Sequence, residues 1–519
     1  MTILRTLSTL SLGLVIGCTS TPAETSVSCP VGTFLNAGQC IPNQGVKADG
    51  ADTYEGDSSS GTDTLTSDAS QQEDSSSSGD NITPTDTHTP TDILSPADAT
   101  SQADAATPIE DAVSNDTMEP SDTSPTPLNP WPVPQLDEEP SEQCQAAKDE
   151  KWYFQYLDNL CDEKVWPTDQ DRDRACPTND DSPFMTLQDG SVVEYFPSSA
   201  PVKWDTGALD GLLPPGMRVA LILIKRVNGV PHYRYISNGT HDVAAQPWST
   251  TKILAAANAA ATIRIKSDYK VGLTAKAGAH KIGDLVTSVC NYDNSPFTSN
   301  GLGRWFHDVG GRAKGNALIH DAWLKRPATE TFGGNYGDQS PAVPYTLKEA
   351  DGSEVTISPD LSSGFANNLS MHTLAEAVKR LVLHREEPTQ RLPGIQWHDI
   401  KVLLFGADGS AKYGEWGGMT QDTSIYIEAG HDMQYVEDRS QGQWTIFSKL
   451  GLGSQGQFMN VGYACWPSLA NDGTPFPGAG REFVISTHLD QGGADWDARD
   501  RLLAKAYRKI ILRIMDGRL

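Results

Sequence analysis

The sequence predicts a mixed α/β domain whose sheet is built from both ends of the domain, with helices between. Three observations predict it. Val219-Ala220-Leu221-Ile222-Leu223-Ile224 and Pro231-His232-Tyr233-Arg234-Tyr235-Ile236 flank Asn228-Gly229, and two β-rich runs around an Asn-Gly pair read as a hairpin. Three more β-rich runs stand late in the chain, at 444–449, 458–466 and 482–489. Residues 371–383 repeat their apolar side chains at helical period behind the capping residue Ser370, and 495–515 make a last amphipathic helix. Strands at both ends with helices between them close one sheet through the two termini.

Ahead of that domain the chain changes character several times. One positive charge at Arg5, an apolar run from Leu10 to Ile16 and then Gly17-Cys18 make a secretory signal, too short to span a bilayer as a mature helix. Leu14-Val15-Ile16-Gly17-Cys18 resembles a bacterial lipobox. That resemblance implies a signal peptide at 1–18, lipidation of Cys18 and, with Thr19 following, the outer membrane; a plain secretory signal is the alternative. Residues 19–45 are a small cysteine-containing segment, 46–141 a Ser/Thr/Pro/Asp linker, 142–190 a helical, disulfide-tied lead-in, and 191–519 the folded domain. The linker has too little apolar surface to offset chain entropy, so it is expected to be a disordered tether. No later run approaches the roughly 20 apolar residues of a spanning helix. The expectation is a protein of the cell envelope, held at the membrane only by its lipid, with its folded domain in the periplasm or at the cell surface.

Net charge is −27, yet residues 41–143 hold 22 Asp and Glu against Lys47 alone, a net of −21 that leaves −6 for the rest. The acidity belongs to the tether and argues solubility rather than a cationic substrate. No basic patch suits a nucleic acid. With Cys18 lipidated, Cys29, Cys40, Cys144, Cys161, Cys176, Cys290 and Cys465 remain for an oxidising compartment. Cys29 and Cys40 bracket a short loop and are expected to pair. One pair is expected among Cys144, Cys161 and Cys176, and Cys290 with Cys465 are either a disulfide or two buried thiols. No C-x-x-C or H-E-x-x-H spacing is present, so neither a metal site nor another cofactor is expected.

The chemistry centres on Pro247-Trp248-Ser249-Thr250-Thr251-Lys252, at the head of an alanine-rich run. Ser249 and Lys252 are three apart and share a helix face. A lysine there takes the serine's proton if burial and nearby positive charge lower its pKa. The plain alternative is an N-cap serine with a solvated lysine. Tyr292-Asp293-Asn294 follows forty residues on, offering a hydroxyl for proton transfer and an amide to orient Lys252. Phe447-Ser448-Lys449-Leu450-Gly451-Leu452-Gly453 stands at a strand end, with glycines that admit a ligand and a lysine whose field suits a carboxylate. Trp305 and Phe306 read as core, and His431 and His488 as lone, satisfied histidines.

Ser249-Thr250-Thr251-Lys252, Tyr292-Asp293-Asn294 and Lys449-Leu450-Gly451, in that order, resemble the three motifs of the serine β-lactamase and penicillin-binding-protein superfamily: S-x-x-K, S-D-N or Y-x-N, and K-T-G. Val309-Gly310-Gly311 and His372-Thr373-Leu374-Ala375-Glu376 match its flanks, class A enzymes above all, and the resemblance covers about 215–515. It implies an antiparallel five-stranded sheet flanked by helices, with a second all-helical subdomain. It implies a nucleophile at Ser249, a base at Lys252, leaving-group handling by Tyr292 and Asn294, and an anion site at Lys449. It also implies an oxyanion hole from the N–H groups of Ser249 and of Leu452, beside Gly451. Glu330, in Glu330-Thr331-Phe332-Gly333-Gly334-Asn335, stands where class A enzymes carry the carboxylate that activates the deacylating water, one residue longer than their spacing; the alternative is a surface-loop glutamate. Leu450 replaces a Thr or Ser whose hydroxyl helps bind the substrate carboxylate. The implied activity is acyl-serine hydrolysis of β-lactams or D-amino-acid peptides of peptidoglycan by a monomer. A slow-releasing DD-peptidase and a silent envelope-binding module of the same fold are the alternatives.

Overall fold

The computed structural model describes residues 33–36, 39–42, 165–169, 171–291, 296–407, 417–420, 425–428, 433–490 and 496–519. The expectations for Cys18, the 46–141 tether, the Cys29–Cys40 pair, Cys144, Cys161, Tyr292, Asn294 and His431 lie outside those residues. The chain divides into two units, Met1–Ser114 and Asn115–Leu519. In the first, β1 (Thr33–Asn36) and β2 (Gln39–Pro42) pair as an antiparallel hairpin.

The second unit opens with the short strands β3 (Phe184–Thr186), β4 (Val192–Glu194), β5 (Phe196–Pro197) and β6 (Trp204–Asp205). Then come β7 (Met217–Val227) and β8 (Val230–Ser237), joined as predicted through Asn228 and Gly229 at φ 51° and 79°. That pair of left-handed residues matches the right-handed twist of a tight hairpin. A 3₁₀ turn (Trp248–Thr251) leads into α1 (Lys252–Lys266), followed by β9 (Lys276–Ala277), β10 (His280–Lys281), α2 (Ile282–Asn291), α3 (Ser299–Gly310) and α4 (Arg312–Ala317). A long loop carries β11 (Thr346–Lys348) and β12 (Glu354–Thr356) to α5 (Met371–Val382) and α6 (Trp397–Phe405). After α7 (Ile425–Glu428) and α8 (Met433–Ser440), the chain ends in β13 (Thr445–Leu452), β14 (Phe458–Trp466), β15 (Arg481–Leu489) and α9 (Trp496–Met515). Of these helices, none is long and apolar enough to cross a membrane.

The main sheet runs β13-β14-β15-β7-β8-β5, with β6 added parallel to β8. Five long antiparallel strands make the predicted sheet, but it has seven strands rather than five: β5 and β6, two residues each, extend its edge. Strands so short carry no periodicity, and only tertiary pairing reveals them. Helices cover both faces, which is why β7 is an almost unbroken apolar run. Ala220, Ile222 and Ile224 face the layer of α1, α2, α3, α5 and α6. Val219, Leu221 and Leu223 face the layer of α7, α8 and α9. The helical region is not all-helical: β10-β9-β11-β12 form a small four-stranded sheet there, with Ala277 and Leu347 in the core.

The lead-in is tied down differently from the expectation. Cys176 bonds to Cys465 on β14, across 289 residues of chain, and Cys290 is a buried cysteine outside that bridge. Residues 165–169 and 171–190 hold β3 and no helix.

Candidate active site

The site is built on α1. Its alanines 255, 256, 257, 259, 260 and 261 are all at most 1 % exposed. A helix buried on every side needs small residues where other helices cross closely. Gly303 and Gly310 on α3 provide the other half of that crossing. A Cβ at Gly303 would stand 2.9 Å from Lys252 Cγ, and one at Gly310 only 2.5 Å from Asn258 Nδ2. Gly311 ends α3 at φ 78°, a conformation natural only to glycine, and its carbonyl accepts a hydrogen bond from Asn258. The Gly310-Gly311 pair is therefore a packing and turn device that fixes α3 against α1.

That packing carries the N-terminus of α3 to Lys252. Thr298 caps α3, its hydroxyl accepting from Gly301 N at 3.0 Å. Lys252 is fully buried, and its Nζ donates to Ser299 Oγ at 3.0 Å and to Asn300 Oδ1 at 2.7 Å. Ser299 Oγ in turn donates to Val289 O. Tyr292 and Asn294, the partners of Lys252 expected from the sequence, lie outside the described residues; among the described ones, Ser299 and Asn300 hold its amine. A signal existed. Thr298 is a capping residue, and the amphipathic stretch from Ser299 ends on Gly310-Gly311. Its first turn is where a helix end meets its neighbours.

Ser249 lies inside the 3₁₀ turn, 8 % exposed. Trp248 before it takes φ 47°, left-handed for a bulky residue, a strain of about 1–3 kcal/mol that persists only where surroundings enforce it. Two contacts do so. Thr251 Oγ1 donates to Trp248 O at 2.9 Å. The indole lies against Gly453, where a Cβ would meet it at 2.5–2.6 Å.

β13 is the edge strand beside this turn. A Cβ at Gly451 would stand 2.9 Å from Pro247 O and 3.1 Å from Ser249 N, so only glycine lets the strand lie on the Ser249 turn. Gly453 N donates to Gln457 O at 2.9 Å. In an antiparallel ladder that phase turns the backbone N–H and C=O groups of the odd residues of β13 toward β14 and those of the even ones, Leu450 and Leu452, to the open edge. The N–H of Leu452 thus faces the open edge of the sheet. Changing Gly451 to Ala is expected to push β13 off the turn; on the acyl-serine mechanism that the sequence motifs imply, acylation of Ser249 then slows about 10²-fold, the scale of losing one oxyanion donor. Burst kinetics with a chromogenic acyl donor measures it.

Lys449 is fully buried, with its Nζ on Leu450 O at 2.8 Å, and shares the α1-facing side of β13 with Phe447 and Gly451. Leu450 points the other way, into the core of α9. It is a packing residue, and the side chain at this position does not line the site.

Glu330, the expected deacylating carboxylate, is bound at the head of α5 and is not a surface-loop glutamate. It is 2 % exposed. Its carboxylate accepts from Ser370 N (3.1 Å), Ser370 Oγ (3.0 Å), Thr373 Oγ1 (2.5 Å) and Arg326 (3.2 Å). It closes the N-terminus of α5, where a negative charge is favoured. The loop residue that does face Lys252 is Tyr336, which sequence reasoning missed. Its ring centroid lies 5.2 Å from Lys252 Nζ, and its hydroxyl meets Thr251 Oγ1 at 2.9 Å and His307 Nε2 at 3.2 Å. Burial drives the Tyr336 pKa up and lowers that of His307 to about 3, so both are neutral near pH 7.

No protein-family model matches the chain, and none of the curated proteins does. Solved structures do. The structural neighbours are class A β-lactamases. A mutant of the class A β-lactamase of the last common ancestor of Gram-negative bacteria is 15 % identical, covering 57 % of this chain and 93 % of its own, with a TM-score of 0.34. A β-lactamase from Burkholderia vietnamiensis is also 15 % identical over 57 % of this chain and 90 % of its own, at 0.34. An ancestral class A β-lactamase gives 15 %, 57 % and 94 %, at 0.31.

Proposed function

We propose that the domain is a serine hydrolase that forms an acyl-enzyme on Ser249, acting on the amide of a β-lactam or of a D-amino-acid peptide. One observation carries the reading. Lys252, buried and three residues after Ser249, is held by Ser299 and Asn300 while β13 lies on the Ser249 turn. On this reading Ser249 is the nucleophile, Lys252 the base, Ser299 the proton carrier, and the N–H groups of Ser249 and Leu452 the oxyanion donors.

Ser249 Oγ attacks the carbonyl carbon as its proton passes to Lys252 Nζ. The N–H groups of Ser249 and Leu452 take the oxyanion. Collapse breaks the C–N bond, and the nitrogen leaves with the proton from Lys252, handed on through the Ser299 hydroxyl. Lys449 supplies field for a substrate carboxylate. Water then cleaves the ester.

The engagement of Glu330 with α5 favours slow release over rapid turnover, the behaviour of a penicillin-binding protein rather than an efficient β-lactamase. We place the domain in the cell envelope, tethered through a lipid on Cys18. Labelling with a fluorescent penicillin tests the function. The wild type is expected to label once and lose the label slowly, and Ser249→Ala not at all. A wild type that stays unlabelled would sink the β-lactam version, and a label shed in seconds would refute slow release.

A further inference from the structure

We infer that Tyr336 is a positioning residue for the nucleophile, holding the left-handed Trp248 peptide, and with it Ser249, through a directed chain of hydrogen bonds. The effect on Ser249 rests on the acyl-enzyme reading above; the chain itself rests on geometry alone.

Counting protons fixes its direction. Thr251 has one hydroxyl proton, and Trp248 O, which only accepts, receives it at 2.9 Å. Tyr336 must therefore donate to Thr251 Oγ1 at 2.9 Å. Its own proton spent, Tyr336 accepts from His307 Nε2 at 3.2 Å. Neutral His307 then carries its proton on Nε2, which leaves Nδ1 bare, and Nδ1 is the buried ring nitrogen with no partner. The chain reads His307 to Tyr336 to Thr251 to the carbonyl of the strained residue before Ser249. The groups around it are consistent with a neutral relay. Arg312 faces both His307 and Tyr336, Asp360 acts on His307, and the Lys252 amine lies over the Tyr336 ring.

The loop that presents Tyr336 is itself fixed. Asn367 Oδ1 accepts from Gly333 N and Gly334 N at 3.0 Å each, and Arg312 Nε donates to Gly333 O. A turn that would relax to a right-handed φ is thus clamped from a separate element.

The test compares Tyr336→Phe, Thr251→Val and the double variant, with melting temperature as the control on folding. Tyr336→Phe keeps the ring over Lys252 and deletes only the hydroxyl. Each single variant is expected to slow acylation by fluorescent penicillin about tenfold while noncovalent affinity stays at the wild-type value. The double variant should be no slower than either single, because one chain is broken only once. His307→Gln, which keeps an N–H donor, should recover most of the rate, whereas His307→Phe should not. Crystal structures of the wild type and Tyr336→Phe give a readout independent of activity: Trp248 left-handed in the first and rotated in the second. An unchanged Trp248 in Tyr336→Phe overturns the inference, and so does wild-type acylation by both singles. Failure of the wild type to acylate while Trp248 still rotates would strike the acyl-enzyme reading instead.

Discussion

Replacing Lys252 by Met is expected to lower the acylation rate of Ser249 by about 10³-fold, within the range of a lost general base. Methionine keeps the unbranched stem that packs against Gly303 and removes the amine that Ser299 and Asn300 hold. The fold should therefore survive. Stopped-flow labelling gives the rate, and urea unfolding the stability. A methionine variant that acylates within threefold of the wild type would remove Lys252 from the mechanism.

The second large effect concerns stability. Changing Glu330 to Ala is expected to destabilise the domain by about 3–5 kcal/mol, the cost of breaking a buried ion pair by removing one partner. Arg326, 11 % exposed at its side chain, would keep only the Asp242 carboxylate of the two it now pairs with. Ser370 N and both hydroxyls at the head of α5 would lose their acceptor. At a temperature where the variant is still folded, acylation should proceed near the wild-type rate and the adduct should last no longer than before. A water-activating base would behave in the opposite way, with stability kept and adduct lifetime greatly extended. Urea unfolding beside a time course of adduct loss separates the two.

Much of this arrangement is legible in the chain, for reasons that differ by element. Asn228-Gly229 fixes its hairpin locally, because two left-handed residues dictate the turn. Ser249 and Lys252 are three apart across the 3₁₀ turn that leads into α1, where residues i and i+3 eclipse. Gly451 reads as admitting a ligand; the close approach found there is to the backbone of the Ser249 turn, which the sequence does not announce. Tyr292 and Asn294, which read as the partners of Lys252, lie outside the described residues; Ser299 and Asn300 are not foreseen, because a three-residue pattern says nothing about which turn meets Lys252. The glycine crossing of α1 and α3 decides that, and it is a property of two helices together.

Glu330 shows the same limit from another side. Its distance along the chain from Gly310-Gly311 suited a catalytic role, yet its partners Ser370 and Thr373 come forty residues later. The Cys176–Cys465 bridge joins the lead-in to β14 over 289 residues, and cysteine count alone leaves such pairings open. Leu450, where the resembled motif carries Thr or Ser, has its side chain in the α9 core. Tyr336 was invisible because its neighbours, Thr251 and His307, come from two separate helical segments.

The central claim is that Ser249 becomes acylated with Lys252 as its base. Intact-mass analysis of the full chain after incubation with benzylpenicillin, followed by peptide mapping, tests it most directly. The account predicts one adduct, on the peptide containing Ser249, absent from Ser249→Ala and strongly slowed in Lys252→Met. An unmodified wild type, or an equal adduct on Ser249→Ala, would contradict it.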